Sequence, residues 1–283
     1  MKKRGDNDMT SSEMQISEGE LSAMTQDLEE MHQATLPKMK AAAAEWSERN
    51  RDLPADEARN GTGRLHGPTR RNFLVGAGAA VGGLVLAACS SKSSTTGTTG
   101  TTAAGGSGTS AASGLTGDLA VANLAAGLEN LAVQTYQKAI DAVTSNQLQG
   151  IPPAIVTFAM TAQKQHKDHA AAWNSILTSA SKPAQSGVDI TVRDAYVTPM
   201  FPTVKDAGTL GTFALGLEDA AAATYLFGIQ NALTDPGAIK IAASIQPVEM
   251  QHSAILNLVL GKYPVPNSFA QTTGHANPTD MIG

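Results

Sequence analysis

The sequence is short of several things, and each scarcity removes a class of protein. Cys89 is the one cysteine among 283 residues. No internal disulfide is possible, so a small disulfide-stapled fold is excluded. Aromatic residues make up only 4 % of the chain, while alanine is abundant. That balance disfavours a β-sandwich and suits closely packed helices. The formal net charge is a mild −5, far from the basic footprint of a nucleic-acid surface, so no nucleic-acid partner is expected. The last scarcity is local. Beyond Cys89 there are only three glutamates, Glu129, Glu218 and Glu249, although glutamate is ordinarily a common solvent-facing helix residue.

What is there explains where those glutamates went. Ala242, Ile245, Glu249, His252, Leu256 and Val259 recur at alternating spacings of three and four, which is one face of a helix turned to a bundle core. A carboxylate and an imidazole occupy the middle of that apolar seam, and burying them costs several kcal/mol, roughly, unless something pairs with them. A metal ion is a partner that suits a Glu and a His three residues apart on one face. The same anomaly recurs in three other seams. Glu129 lies among Ala122, Ala125, Ala132 and Tyr136; Glu218 lies among Gly211, Ala214, Ala221 and Tyr225; His166 and His169 lie among Ile155, Ala159, Ala162, Trp173 and Ile176. One such position is an oddity, and a lone seam histidine is more often a hydrogen-bonded core residue. Six at matching helical phase in four helices point to a shared site. Tyr136 and Tyr225 lie two turns beyond Glu129 and Glu218, as core aromatics with satisfied hydroxyls, as donors to carboxylates behind the ligands, or as carriers of oxidising equivalents. Gln163 and Gln246 are candidates for outer hydrogen bonds to the ligands. His275, in the tail, is expected at the surface.

Residues 1–66 are polar, with 13 acidic and 9 basic side chains. Residues 17–46 have an amphipathic face through Leu21, Met24, Leu28 and Met31, but Pro37 interrupts it. The segment is expected to be mostly disordered, as a cytoplasmic extension or as a stretch upstream of the true start. Thr69-Arg70-Arg71-Asn72-Phe73-Leu74 then opens an apolar run over residues 73–88 that ends Leu86-Ala87-Ala88-Cys89. The run is 16 residues long, short for a membrane span of about 20. Paired arginines, a Phe-Leu and a Gly/Ala-rich run resemble a twin-arginine export signal, and the ending resembles a bacterial lipoprotein cleavage box. The resemblance makes residues 67–89 a signal peptide, Arg70 and Arg71 its recognition pair, and Cys89 a lipid-bearing N-terminus on the outer face of the cell membrane. An uncleaved anchor with a chance cysteine is the alternative. Residues 90–117 are Ser/Thr/Gly-rich and read as a flexible tether.

Residues 118–262 are long enough for one all-α domain. Helices are expected over residues 118–143 with Asp118 as N-cap, 153–179 behind Pro152-Pro153, 207–231, and 236–260 closed by Gly261. Pro247 should kink the last one or mark a late start. Two short connections make antiparallel hairpins, and residues 180–206 make one long crossover. Residues 263–283 should wrap irregularly over the bundle. The hairpins also repeat: Leu128-Glu129-Asn130 with Tyr136 answers Leu217-Glu218-Asp219 with Tyr225, and Gln163-x-x-His166-x-x-His169 answers Gln246-x-x-Glu249-x-x-His252.

This constellation resembles the ferritin-like superfamily of di-metal carboxylate proteins, four-helix bundles with one long crossover. There two helices each supply a Glu and two supply Glu-x-x-His. Glu129 and Glu218 match the single carboxylates, Glu249 and His252 match one pair, and His169 matches the second histidine. His166 stands where the family has Glu, leaving three carboxylates and three imidazoles. The resemblance implies a di-iron centre with ferroxidase-like or related redox activity. Imidazole also suits Zn and Cu, and one carboxylate fewer lowers the charge that holds two ions, so Mn, Zn or Cu, or a single ion, become alternatives. A lipid-anchored envelope or stress-protection protein without turnover is the second functional reading, and a dimer is possible. A closed iron-storage cage fits poorly with a tether and lipid anchor.

Overall fold

A computed structural model describes residues 14–51, 115–267 and 270–276. The expectations for Arg70, Arg71, Cys89 and the tether fall outside the described residues. No strand occurs among the described residues, and no helix there is long and apolar enough to cross a membrane. Five long helices carry the fold: α1 (Glu18–Asn50), α2 (Gly117–Thr144), α3 (Pro153–Ser179), α4 (Ala207–Phe227) and α5 (Pro236–Val259). α2 packs along α3 and α4 along α5, giving the two expected hairpins, and α3 also meets α5.

The helix ends follow local chemistry. Pro153 starts α3 and Pro236 starts α5, where no intrahelical donor is needed. Asp206 forms a capping box with Thr209 at α4, and Asp235 accepts from the Gly237 and Ala238 amides at α5. Asp118 is not the N-cap of α2. It lies inside the first turn, buried, and its carboxylate accepts from the Thr234 and Asp235 amides at 2.8 and 2.6 Å, tying α2 to the α4–α5 turn. Gly261 takes φ +69° beyond α5, and the Lys262 amide returns to the Asn257 carbonyl at 2.8 Å, a glycine-dependent helix stop.

Further expectations need correction. Residues 18–50 are not disordered: α1 lies along α3 and α5 as a fifth helix. Its buried face is Leu21, Thr25, Leu28, His32, Met39 and Trp46, whereas Met31 is 47 % exposed. The ion pairs Arg49–Asp235, Lys240–Glu45 and Lys164–Glu29 flank that contact. Pro37 does not break α1, and α5 starts at Pro236 and runs on through Pro247, so that proline does not mark a late start. Both prolines, and the residues Gln33 and Ala243 whose carbonyls they release, lie on solvent-exposed positions where water satisfies the freed groups. The long crossover has structure of its own. It holds helical turns between residues 190 and 203 and is strapped down by the Asp189 amide on the Gly127 carbonyl and by Asn130 and Asn174 on the Gln185 carbonyl. In the tail, His275 is half-buried rather than free at the surface, stacked on Phe227 with ring centroids 3.8 Å apart.

Two apolar clusters sandwich the polar middle of the bundle. One, around Leu28, Leu131, Phe158, Phe213 and Leu256, lies towards one end; the other, around Trp46, Leu119, Trp173, Ile176 and Ile241, lies towards the other.

Candidate metal centre

All six predicted ligand residues converge in the gap between those clusters, and all are buried. They form two overlapping sets: Glu129, His166, His169 and Glu249, and His166, Glu218, Glu249 and His252. Within each set the donor atoms lie within 4.8 Å of one another. In the first set His166 Nδ1 is 2.7 Å from Glu129 and 4.0 Å from Glu249, and His169 Nδ1 is 3.6 Å from Glu129 and 3.0 Å from Glu249. In the second, His166 Nε2 is 3.3 Å from Glu218, and His252 Nδ1 is 3.1 Å from Glu218 and 3.2 Å from Glu249.

These separations fit a metal. Bonds of about 2.0–2.1 Å to nitrogen or oxygen in a tetrahedral site put neighbouring ligand atoms about 3.3 Å apart, and the observed edges scatter around that value. The hydrogen-bond inventory agrees. His169 Nδ1 and Glu249 Oε1 are 3.0 Å apart, yet neither makes a hydrogen bond, and His169 Nε2 is likewise unsatisfied. Two buried polar atoms close together but misaligned for a hydrogen bond suit neighbouring positions around one cation.

Without a metal the cluster neutralises itself. Burial alone would raise the Glu129 carboxyl, but the His169 and His166 imidazoles overcome it and hold it at about 2. Glu218 behaves alike: burial opposes, His252 and His166 prevail, and it lies well below the carboxylate range. Burial would lower the histidines, yet the facing glutamates raise all three. His169 reaches about 9 through Glu129 and Glu249, His166 rises well above its ordinary value, and His252 rises through Glu218 and Glu249.

The tyrosines do more than fill the core. Tyr136 of α2 donates to Glu218 of α4, and Tyr225 of α4 donates to Glu129 of α2. Each hairpin thus holds the other hairpin's carboxylate, as the sequence repeat requires of a pseudo-twofold bundle. Trp173 Nε1 donates to the Tyr225 hydroxyl at 2.9 Å. Burial and then the adjacent glutamate push both phenols well above their usual pKa, which keeps them protonated donors.

The predicted glutamines miss the site. Gln163 donates to the Val133 carbonyl and the Gln137 side chain, away from the ligands, and no hydrogen bond joins the half-buried Gln246 to the cluster. Gln165 acts instead, its Oε1 accepting from His252 Nε2 at 2.9 Å, which leaves Nδ1 free for the ligand position. His32 is the second residue that sequence reasoning missed. It reaches the site from α1, its ring 5.3 Å from that of His169, with Nε2 3.3 Å from Asp168. Burial, then the charge on His169, lowers its pKa. Its sequence signal was the spacing Leu21, Leu28, His32 on one helical face.

Neither a search of curated proteins nor one of solved structures returned a match for this chain. A family model does match: the ferritin-like domain, over residues 117–262, just over half of the sequence and all of α2–α5. The buried Glu/His cluster at the centre of four such helices, and that match, place this chain in the ferritin-like domain family.

Proposed function

We propose that the cluster holds a pair of transition-metal ions, iron foremost, and that the protein carries out ferroxidase-like redox chemistry on dioxygen or peroxide. The observation that carries the reading is the pair of overlapping four-residue ligand sets in a dry core. Glu129 and His169 would hold one ion, Glu218 and His252 the other, with Glu249 and His166 common to both. Iron or manganese there supplies one-electron exchange with oxygen species. The chain supplies the surroundings. Tyr136 and Tyr225 fix the carboxylates, Gln165 fixes the His252 tautomer, and the apolar clusters exclude water. An apolar cavity of about 40 Å³ abuts the site through Tyr136 and Phe158, the latter edge-on to His252. It has room for a small apolar molecule such as dioxygen and offers water no polar partners. The test is metal analysis of protein purified without chelator. Iron or manganese at or above one ion per chain, lost in Glu249→Ala, supports the reading; near-zero Fe, Mn, Zn and Cu in both proteins removes it.

A second reading, a stress-protection protein without turnover, is favoured by one observation: three carboxylates face three imidazoles of raised pKa, so the core balances its own charge. An Fe(II) oxidation assay separates the two, since bound metal without accelerated oxidation selects the second.

The proposal includes export through the stretch at Arg70–Arg71 and lipid attachment at Cys89. Chain order sets a condition on it. α1 precedes that stretch and the bundle follows it, so α1 can dock on α3 and α5 only while both lie on one side of the membrane. The docked arrangement belongs before export, and export leaves the α3–α5 face uncovered. Mass spectrometry of the membrane-fraction protein decides this: an acylated chain starting at Cys89 supports export and cleavage, and an unlipidated chain retaining α1 rules them out.

A further inference from the structure

The two ligand sets share His166 and Glu249, and each shared residue offers a different atom to each set. Glu249 Oε1 lies 3.0 Å from His169 and Oε2 lies 3.2 Å from His252. His166 Nδ1 lies 2.7 Å from Glu129, while Nε2 lies 3.3 Å from Glu218. The two nitrogens of an imidazole point away from each other across the ring and cannot both reach one ion. The Tyr136 ring stacks on His166 with centroids 5.6 Å apart, which fixes the ring plane between the two sets.

We propose that His166 is a bridging ligand, an imidazolate holding one metal ion on each ring nitrogen. The inference rests on the metal-binding reading and specifies its geometry. Proton balance is simple. The metal-free imidazolium carries an N–H on each nitrogen; the two ions displace both protons to solvent, and no electron is transferred. Charge then balances as well. Glu129, Glu218 and Glu249 supply three negative charges and the imidazolate a fourth, matching two divalent cations. The imidazole in place of the family's carboxylate therefore restores the charge that the exchange removes, while changing the spacing. Ions in two-metal sites commonly lie about 3.5–4 Å apart. An imidazolate with metal–nitrogen bonds of about 2.0 Å on either side of its ring holds its ions about 6 Å apart.

The full chain, freed of metal with a chelator and loaded with Cu(II) alone, provides the test. The expected result is two coppers per chain and an electron paramagnetic resonance signal well below that of two isolated Cu(II) ions, because magnetic exchange runs through the ring. X-ray absorption should show no copper neighbour at the short separation. His166→Gln, with its fold checked by circular dichroism, should restore the isolated-ion signal or bind one copper fewer. A short copper–copper distance, one copper per chain in the wild type, or a signal identical in wild type and His166→Gln would overturn the bridge and leave metal binding standing. A chain that binds no copper, zinc or iron would instead overturn the metal-binding reading itself. The wild-type absorption spectrum and resonance signal decide the question even if His166→Gln does not fold.

Discussion

Proton competition should govern metal loading. A metal needs the lone pair of a neutral imidazole, but in the metal-free cluster the glutamates hold the histidines protonated. His169 is raised from 6.5 to about 9. Near pH 7 it lies about two units below that value, so its neutral form is about one part in a hundred, a penalty of about 3 kcal/mol on binding. The sign follows from linkage. A raised histidine stabilises the metal-free fold fully below 6.5 and loses that contribution as pH rises through about 9, so the competing metal gains over the same window. Affinity should climb about tenfold per pH unit from neutrality towards about pH 9 through His169 alone, and more steeply because His166 and His252 are also raised. Zn(II) competition against a chromophoric chelator, corrected for the chelator's own protonation, measures this directly. Calorimetry in buffers of different ionisation enthalpy counts the protons released. An affinity flat across that range, with no proton release, would refute the ion-paired description of the metal-free site.

Other expectations follow from named contacts. Tyr225→Phe strips a donor from Glu129 and leaves Trp173 Nε1 without its acceptor; metal affinity should fall about 10–100-fold, and an unchanged titration would show that the hydroxyl only fills space. Trp46→Ala removes an indole that is 2 % exposed beneath α1 and should cost about 3–5 kcal/mol in urea unfolding of the full chain; a cost near zero would mean that α1 is not docked. Glu129, held at about 2 against an ordinary 4.5, stabilises the metal-free fold above 4.5 and loses that contribution as pH falls through about 2. An acid titration followed by circular dichroism should therefore show less late loss in Glu129→Gln, and identical curves would contradict the assignment.

The bundle and the six buried side chains of its candidate site were legible because both signals are strong ones. Prolines and glycine at Pro153, Pro236 and Gly261 mark helix ends by covalent geometry, and a carboxylate in an alanine seam is costly enough to need a reason. α1 was not legible for the opposite reasons. Its buried stripe runs through Thr25 and His32 rather than Met24 and Met31, and Pro37 mimics a break. A helix proline costs about 3 kcal/mol, and burial of Leu28 and Met39 on either side of it offsets that cost. Gln165 escaped notice because it sits one residue before His166, about 100° round the helix from the ligand seam, and reaches His252 on another helix, 87 residues away. Contacts of that kind belong to the packed bundle, and helical periodicity alone does not encode them.

The central claim is that six buried side chains on four helices are one cation site. Anomalous diffraction from crystals of the full chain grown with Fe(II) or Mn(II) tests it most directly. The account predicts anomalous density between Glu129 and His169 and between Glu218 and His252, with Glu249 and His166 touching both positions. A core with no anomalous signal, its glutamates still paired directly to the three histidines in the presence of excess metal, would contradict it.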